Sequence, residues 1–118
     1  MSSTAEVLAQ RQLDAYNGHD LDAFVACYAP NVEVRTFPGA GAPDFSGHEA
    51  LRARYGPMFE QGTIHAELLN RIAIGNTSID HERVTGLAKK GEEERIVFAV
   101  AIYEVADDLI QKVWFIRE

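Results

Sequence analysis

A short turn at Gly75-Asn76, inside the segment 63–87, constrains the fold of this chain more than any other feature. The segment reads TIHAELLNRIAIGNTSIDHERVTGL, and its composition is typical of two strands. A Gly-Asn pair between such runs predicts a two-residue hairpin loop. Uninterrupted pairing around this loop sets four opposed pairs: Ile72 with Ile79, Arg71 with Asp80, Asn70 with His81, and Leu68 with Arg83.

The two faces of this predicted hairpin differ in character. One face carries Arg71 opposite Asp80 and diagonal to Glu82, so we interpret it as a charged, structural face. The other face places Asn70 and His81 among aliphatic side chains. Polar groups on a core-facing surface need partners or a ligand, so this second face is a candidate ligand-binding site.

Length and charge exclude several classes of protein. At 118 residues the chain fits one domain, 1–118, with a core large enough to need no disulfide or metal. A net charge of -7 argues against a nucleic-acid or anionic-membrane surface. With a single cysteine, Cys27, and neither a leader-like nor a membrane-spanning segment, we expect a soluble cytoplasmic protein.

The first half of the chain predicts three helices. Apolar spacing over 4–17 predicts the first helix, which Gly18 ends. Asp20 is a good N-cap for a second helix that should run to Pro30, and 32–35 reads as a short strand. After a Gly/Pro loop at 36–45, the capping-box pattern at 46–49 opens a third helix, which Pro57 should kink or end near Gly56.

The second half predicts strands. Residues 95–105 are apolar on both alternating faces and must be covered on both sides, while 109–117 closes the sheet after a turn at Asp107-Asp108. Helices grouped before an antiparallel sheet indicate an α+β fold. A strongly curved sheet wrapped around the third helix would enclose a cavity open at one end. The outer sheet face would meet a second subunit, with Trp114 as an anchor.

Four segments carry a resemblance to a known superfamily. They are LDAYNGHDLDAFVACYAPNVEV, SGHEALRARY, HAELLNRIAIGNTSIDHERV and AIYEVADDLIQKVWFIRE. Together with the element order they resemble the nuclear transport factor 2-like superfamily, especially its SnoaL-like and steroid delta-isomerase-like branch. The resemblance implies a cone-shaped, cystatin-like α+β fold with an internal cavity, and homodimers that pack through the outer sheet face. Its members include isomerases, cyclases, dehydratases, epoxide hydrolases and non-enzymes, so the fold does not supply a reaction.

The ketosteroid isomerase site does not carry over to this sequence. Its catalytic carboxylate would fall at Thr36, its oxyanion-hole tyrosine at Gln12 and its oxyanion-hole acid at Ala101. Threonine cannot serve as a proton-shuttling base near neutral pH, and alanine donates no hydrogen bond. The resemblance therefore does not predict steroid isomerisation.

The resemblance does place His81 and Arg83 on the cavity side, and they are the predicted catalytic pair. His81 would transfer a proton while Asn70 holds its tautomer, and Arg83 would bind an enolate or carboxylate oxygen. A core histidine bonded to asparagine is the structural alternative. The full set predicted to bind the ligand is Gln12, Tyr16, Thr36, Tyr55, Phe59, Asn70, Ala101, Tyr103, Val113 and Phe115.

The sequence thus leaves two hypotheses for function. The first is a homodimer that binds a small, mostly apolar carbonyl compound and catalyses isomerisation, cyclisation or dehydration by proton transfer, with no cofactor and no metal. The second is a non-catalytic ligand-binding or dimerisation module of the same fold. In either case the predicted outer seam of the dimer carries Arg71, Asp80, Glu82 and Trp114.

Overall fold

The computed structural model describes residues 4–39 and 41–117. The elements are α1 (Thr4–Asn17), α2 (Leu21–Val25), β1 (Tyr28–Thr36), β2 (Phe45–Ser46), α3 (Gly47–Gln61), β3 (His65–Ile74), β4 (Thr77–Thr85), β5 (Val97–Ala106) and β6 (Leu109–Arg117). The strands form one sheet in the order β2-β1-β6-β5-β4-β3, in which β1 runs parallel to β6 and the other neighbours are antiparallel. The predicted α+β fold is confirmed.

Helix α1 has the predicted bounds and docks on the sheet. Its apolar stripe is buried, and Gly18 ends it by donating its N–H to the carbonyl of Asp14 at 2.9 Å. The Asn17 amide then clamps this end of the helix to β3, since it both donates to and accepts from the backbone of Ala66, at 2.9 and 2.8 Å. No helix in the described ranges is long and apolar enough to cross a membrane.

Two helix predictions need correction. Asp20 does cap α2, but that helix ends at Val25 rather than at Pro30, because the chain enters β1 at Tyr28. Just before β1, the Cys27 carbonyl accepts a hydrogen bond from the Ile110 N–H at 2.9 Å. Of the two outcomes predicted at Pro57, a kink or an end near Gly56, the end is wrong, because helix α3 continues through Pro57 to Gln61. The burial of Phe59 against the α1 and α2 aromatics stabilises that last turn, and Gly62 ends it in the left-handed conformation, with φ 77°.

The hairpin of β3 and β4 pairs as predicted only near its turn. Asn70 lies opposite His81 and Arg71 opposite Asp80, but Leu68 lies opposite Glu82 instead of Arg83. The difference is a β-bulge at Leu69, an extra residue that has no opposite partner. Because side chains alternate with a period of two, one extra residue reverses the face of everything beyond it on β3.

This bulge decides which side chains of the hairpin face the helices. Ala66 and Leu68 face inward before the bulge, while Arg71 and Ala73 face inward after it. Strand β4 has no bulge, and its buried inward positions are Ser78, Asp80 and Glu82. The predicted assignment of faces on β4 is therefore wrong. On β5 and β6 the inward-facing residues are Val97, Ala99, Ala101, Tyr103, Val113, Phe115 and Arg117, which include the four predicted to bind the ligand.

Candidate functional site

A cavity of about 290 Å³ lies between the helices and the inner face of the sheet. Its walls come from α1, α2, α3, β3, β4, β5, β6 and the segments that precede β3 and β5. The lining residues are Gln12, Leu13, Tyr16, Phe24, Arg54, Tyr55, Met58, Ile64, Ala66, Glu82, Val84, Leu87, Arg95, Val97, Ala99, Tyr103, Phe115 and Arg117. The cavity is thus mostly apolar, with a few polar groups, as is usual for small-molecule sites.

An aromatic cluster forms the helical wall of this cavity. The rings of Phe24 and Tyr55 lie 4.9 Å apart between centroids, and those of Tyr16 and Phe59 lie 5.4 Å apart, edge to face. This packing holds the rings in fixed positions. The tyrosine hydroxyl groups are the polar part of the wall. The wall is therefore shaped before any ligand binds.

Glu82 is the acidic side chain of the cavity lining. It projects inward from β4, is 7% exposed and pairs across the strands with Ala99. Among the described residues no hydrogen-bond donor reaches its carboxyl group, and the carboxyl oxygens are not fully enclosed by protein. Burial, followed by repulsion from the nearby Asp80, raises the pKa of Glu82 from 4.5 to about 7.

A buried ion pair lies beside Glu82. Asp80 is fully buried and accepts two hydrogen bonds from the Arg71 guanidinium, at 2.7 and 2.9 Å, in a bidentate pair. Arg71 also donates to the Gln10 side chain at 2.9 Å. The pair affects Glu82 in both directions, because Asp80 raises the pKa of Glu82 and Arg71 lowers it.

Three tyrosine hydroxyls share the cavity with Glu82. Burial raises the pKa of Tyr16, Tyr55 and Tyr103, and the charge of Glu82 raises each further, so all three remain protonated donors at neutral pH. No hydrogen bond within residues 4–39 and 41–117 engages these three hydroxyls. Tyr28 differs, since its hydroxyl donates to the Gln12 side chain at 3.2 Å. The free hydroxyls and the free carboxyl group are the parts of this site that a ligand could bind.

The predicted ligand-binding residues divide into three groups. Gln12, Tyr16, Tyr55, Tyr103 and Phe115 line the cavity; Phe59, Ala101 and Val113 are buried in the core around it. Gln12 is itself satisfied, because its amide donates to the Ala9 carbonyl at 2.9 Å. Thr36 lies outside this set: it is exposed and its hydroxyl donates to Asp44 at 2.7 Å.

The predicted polar group of Asn70, His81 and Arg83 does not face the cavity. All three side chains are exposed on the outer sheet face, where Arg83 pairs with Glu67 at 3.1 Å. Conversely, Arg71, Asp80 and Glu82 do not form an outer seam, because they point inward. Trp114 does lie on the outer face, between the inward-facing Val113 and Phe115.

Sequence reasoning missed Glu82 because carboxylates are rarely buried and the bulge at Leu69 leaves no mark in the composition. One signal was available. Arg71 faces Asp80 in the part of the hairpin whose register follows directly from the turn, and such a pair can neutralise a buried carboxylate. The alternation along β4 then places Glu82 on the same side.

The sequence matches a family model over most of its length. The match covers residues 9–113, and the model describes the SnoaL-like domain. The chain belongs to the SnoaL-like family. A comparison of this SnoaL-like chain with curated proteins found no match.

Several solved structures share the fold of this chain. An uncharacterised cystatin-fold protein from Novosphingobium aromaticivorans has a TM-score of 0.84 and 26% identity over 99% of this chain and 100% of its own. A candidate polyketide cyclase from Bacillus cereus has a TM-score of 0.77 and 19% identity, over 98% and 74%. An epoxide hydrolase from M. tuberculosis has a TM-score of 0.77 and 14% identity, over 98% and 83%. The last two show the shared fold alone.

Proposed function

We propose that the chain binds a small, mostly apolar carbonyl compound in its cavity and transfers protons on it with Glu82. The observation that carries this proposal is a buried carboxyl group that opens on the cavity, has no hydrogen-bond donor among the described residues and has a pKa of about 7. A group whose pKa lies near the working pH is best suited to take a proton and return it. The names of two similar structures, an epoxide hydrolase and a candidate polyketide cyclase, fit an enzyme of this general kind.

The reaction that suits these groups begins beside the carbonyl. The Glu82 carboxylate takes a proton from the carbon next to the carbonyl group, and the electron pair of that C–H bond moves to the carbonyl oxygen as an enolate. A tyrosine hydroxyl, from Tyr16 or Tyr103, donates a hydrogen bond to that oxygen. Return of the proton to another carbon completes an isomerisation. Transfer of the proton to a departing hydroxyl on the next carbon releases water and completes a dehydration, and attack of the enolate carbon on a second carbonyl, whose oxygen takes the proton from Glu82, completes a cyclisation.

Exchange of the proton for deuterium tests this proposal without knowledge of the product. Steroid, terpenoid and polyketide carbonyl compounds that bind would be incubated with the protein in deuterium oxide, and exchange beside the carbonyl followed by NMR. We expect Glu82→Gln to slow exchange by roughly a hundred-fold or more, since the amide cannot accept the proton. His81→Ala, one residue away on the outer face, is the control and should exchange at the parent rate.

Three results would contradict the proposal. If Glu82→Gln exchanges as fast as the parent, Glu82 is not the base. If His81→Ala loses exchange instead, His81 is the base, as the sequence predicts. If the compounds bind but neither the parent nor the variants catalyse exchange, the result favours the non-catalytic ligand-binding alternative.

A second proposal concerns the outer sheet face, which we propose is covered by a second copy of this chain. A row of apolar residues crosses four strands of this face at directly opposed positions: Ile72, Ile79, Ile102 and Trp114. Large side chains on the same face are exposed, including Ile72 at 60%, Phe98 at 39% and Ile116 at 42%. Exposed apolar patches of this kind mark interfaces, and one patch can serve both halves of a two-fold dimer.

Trp114→Arg tests this second proposal. A guanidinium placed in the apolar row would be desolvated in the interface without a partner, so the variant should be a monomer where the parent is a dimer. Sedimentation equilibrium measures the mass, and Glu60→Arg, an exposed position on α3, is the control that keeps the parent mass. A dimer that persists in Trp114→Arg would remove Trp114 as the anchor of the interface.

A further inference from the structure

Three arginines from separate parts of the chain meet at the same cavity. Arg54 lies in α3, Arg95 precedes β5 and Arg117 ends β6, yet all three line the cavity that holds Glu82. Each is exposed, whereas Glu82 is 7% exposed. The guanidinium groups therefore form a basic rim around the solvent side of the cavity, and the carboxyl group lies in its interior.

The arginines of this basic rim have no carboxylate partner within the described ranges. Four of the other five arginines do: Arg35 pairs with Glu33, Arg52 with Asp22, Arg71 with Asp80 and Arg83 with Glu67. The fifth, Arg11, has no such pair among the described residues and lies away from this cavity. No ion pair among the described residues joins Arg95 to the acidic turn before it, where Glu92 accepts from the Lys89 N–H and Glu94 from the Gly86 N–H. Although the chain has a net charge of -7, three arginines without a carboxylate partner among the described residues lie together at one opening.

Aromatic rings hold two of these guanidinium groups in place. Arg117 lies over the Phe115 ring at 4.2 Å from its centroid, and Arg54 lies 5.8 Å from the Tyr55 centroid. A guanidinium stacked on a ring keeps N–H groups at its edge available to bind an anion. One Arg54 N–H donates to the Met58 sulfur at 3.9 Å, and its other N–H groups have no hydrogen-bond partner among the described residues. Both rings belong to the cavity wall, so the free edges border the space that an apolar ligand would fill.

We infer that the ligand of this cavity carries a carboxylate group, which the basic rim of Arg54, Arg95 and Arg117 binds while the apolar body lies against the aromatic wall. The inference rests on the proposed function, whose substrate class it narrows to an amphipathic carbonyl acid. A planar carboxylate matches the guanidinium fork with two parallel hydrogen bonds. Binding at the rim also holds the negative charge of the ligand away from Glu82, and leaves its carbonyl end beside the tyrosine hydroxyls.

A pair of matched probes tests this inference. 2-Naphthylacetate and 2-(2-naphthyl)ethanol share one apolar body and differ in the carboxylate, and calorimetry measures the affinity of each for the full chain. We expect the acid to bind roughly tenfold or more tightly than the alcohol, with a preference that falls as salt is added. In the double variant Arg54→Gln with Arg117→Gln the preference should disappear, while affinity for the alcohol stays at the parent level.

Arg52→Gln is the matched control, because Arg52 lies on the same helix as Arg54 but pairs with Asp22 and is not part of the cavity lining. It should keep the parent preference. Equal binding of acid and alcohol by the parent would overturn the carboxylate inference and leave the apolar cavity proposal standing. If neither probe binds, both proposals fail. If the double variant keeps the full preference for the acid, the basic rim is not where the carboxylate binds.

Discussion

Replacing Arg71 with methionine should lower the free energy of unfolding by about 3–5 kcal/mol, because it leaves a fully buried carboxylate without its counter-ion. Asp80 is 0% exposed and takes both of its short hydrogen bonds, at 2.7 and 2.9 Å, from Arg71. Urea unfolding followed by circular dichroism measures the loss. Arg83→Met, in the same hairpin, is the matched control and should change the free energy of unfolding by about 1 kcal/mol or less, since the Arg83–Glu67 pair is exposed.

Adding Asp80→Asn to Arg71→Met should recover part of the lost stability, because the unpaired charge is then removed. The comparison also tests which face of the hairpin points inward. If Arg83→Met were the more damaging of the two single variants, the inward face of β4 would be the one that carries His81 and Arg83.

Replacing Glu82 with glutamine should stabilise the protein above neutral pH and leave its stability almost unchanged in mild acid. The folded state holds the Glu82 proton up to about pH 7, whereas the unfolded state releases it near the ordinary value of 4.5. Between those values the folded state binds more protons, so the stability that the protonated carboxyl group contributes is lost as the pH rises. The loss is on the order of 3 kcal/mol, since each pKa unit corresponds to about 1.4 kcal/mol.

Unfolding of the parent and of Glu82→Gln would be measured at several pH values from 4.5 to 8. The difference in free energy of unfolding between the parent and Glu82→Gln should increase as the pH rises and be largest above pH 7. Glu67→Gln, at an exposed position of β3, is the control and should stay within about 1 kcal/mol of the parent throughout. If the parent and Glu82→Gln have the same free energy of unfolding at pH 8, the ionised Glu82 carboxylate is not buried in the folded state.

The expected effect of Glu82→Gln describes a cavity group that lowers the stability of the protein. A carboxyl group with no donor among the described residues, placed in an apolar cavity, opposes folding whenever it is ionised. Its neighbours adjust this cost in opposite directions, because Asp80 raises the pKa of Glu82 and Arg71 lowers it. Ionisable groups whose pKa values are moved toward neutrality in a cavity are more often functional than structural.

Much of the fold could be predicted from local patterns. The periodicity of 4–17, the N-cap at Asp20 and the Gly75-Asn76 turn each depend on residues close in sequence, and each has its predicted place in the structure. The end of α2 could not be predicted in this way. It depends on the pairing of β1 with β6, which lies some eighty residues away along the chain.

The site was harder to predict than the fold for one physical reason. The side-chain period of a strand is two, so uninterrupted alternation across Leu69 places Ala66 and Leu68 on the face of Asn70, whereas the bulge puts them on the opposite, inward face. Apolar content also misled, since Ile72 and Ile74 are exposed on the outer face while Asp80 and Glu82 are buried. Bulges and buried ion pairs both depend on tertiary contacts that composition does not record.

The most direct test of the central claim is the titration of Glu82 itself. Carbon NMR of protein labelled at the glutamate carboxyl groups, in the parent and in Glu82→Gln, assigns its resonance by difference. We predict one carboxyl resonance with a midpoint at about pH 7 that is missing from Glu82→Gln. Titration of every glutamate in the parent below about pH 5.5 would contradict the claim that Glu82 is the proton-transfer group of the cavity.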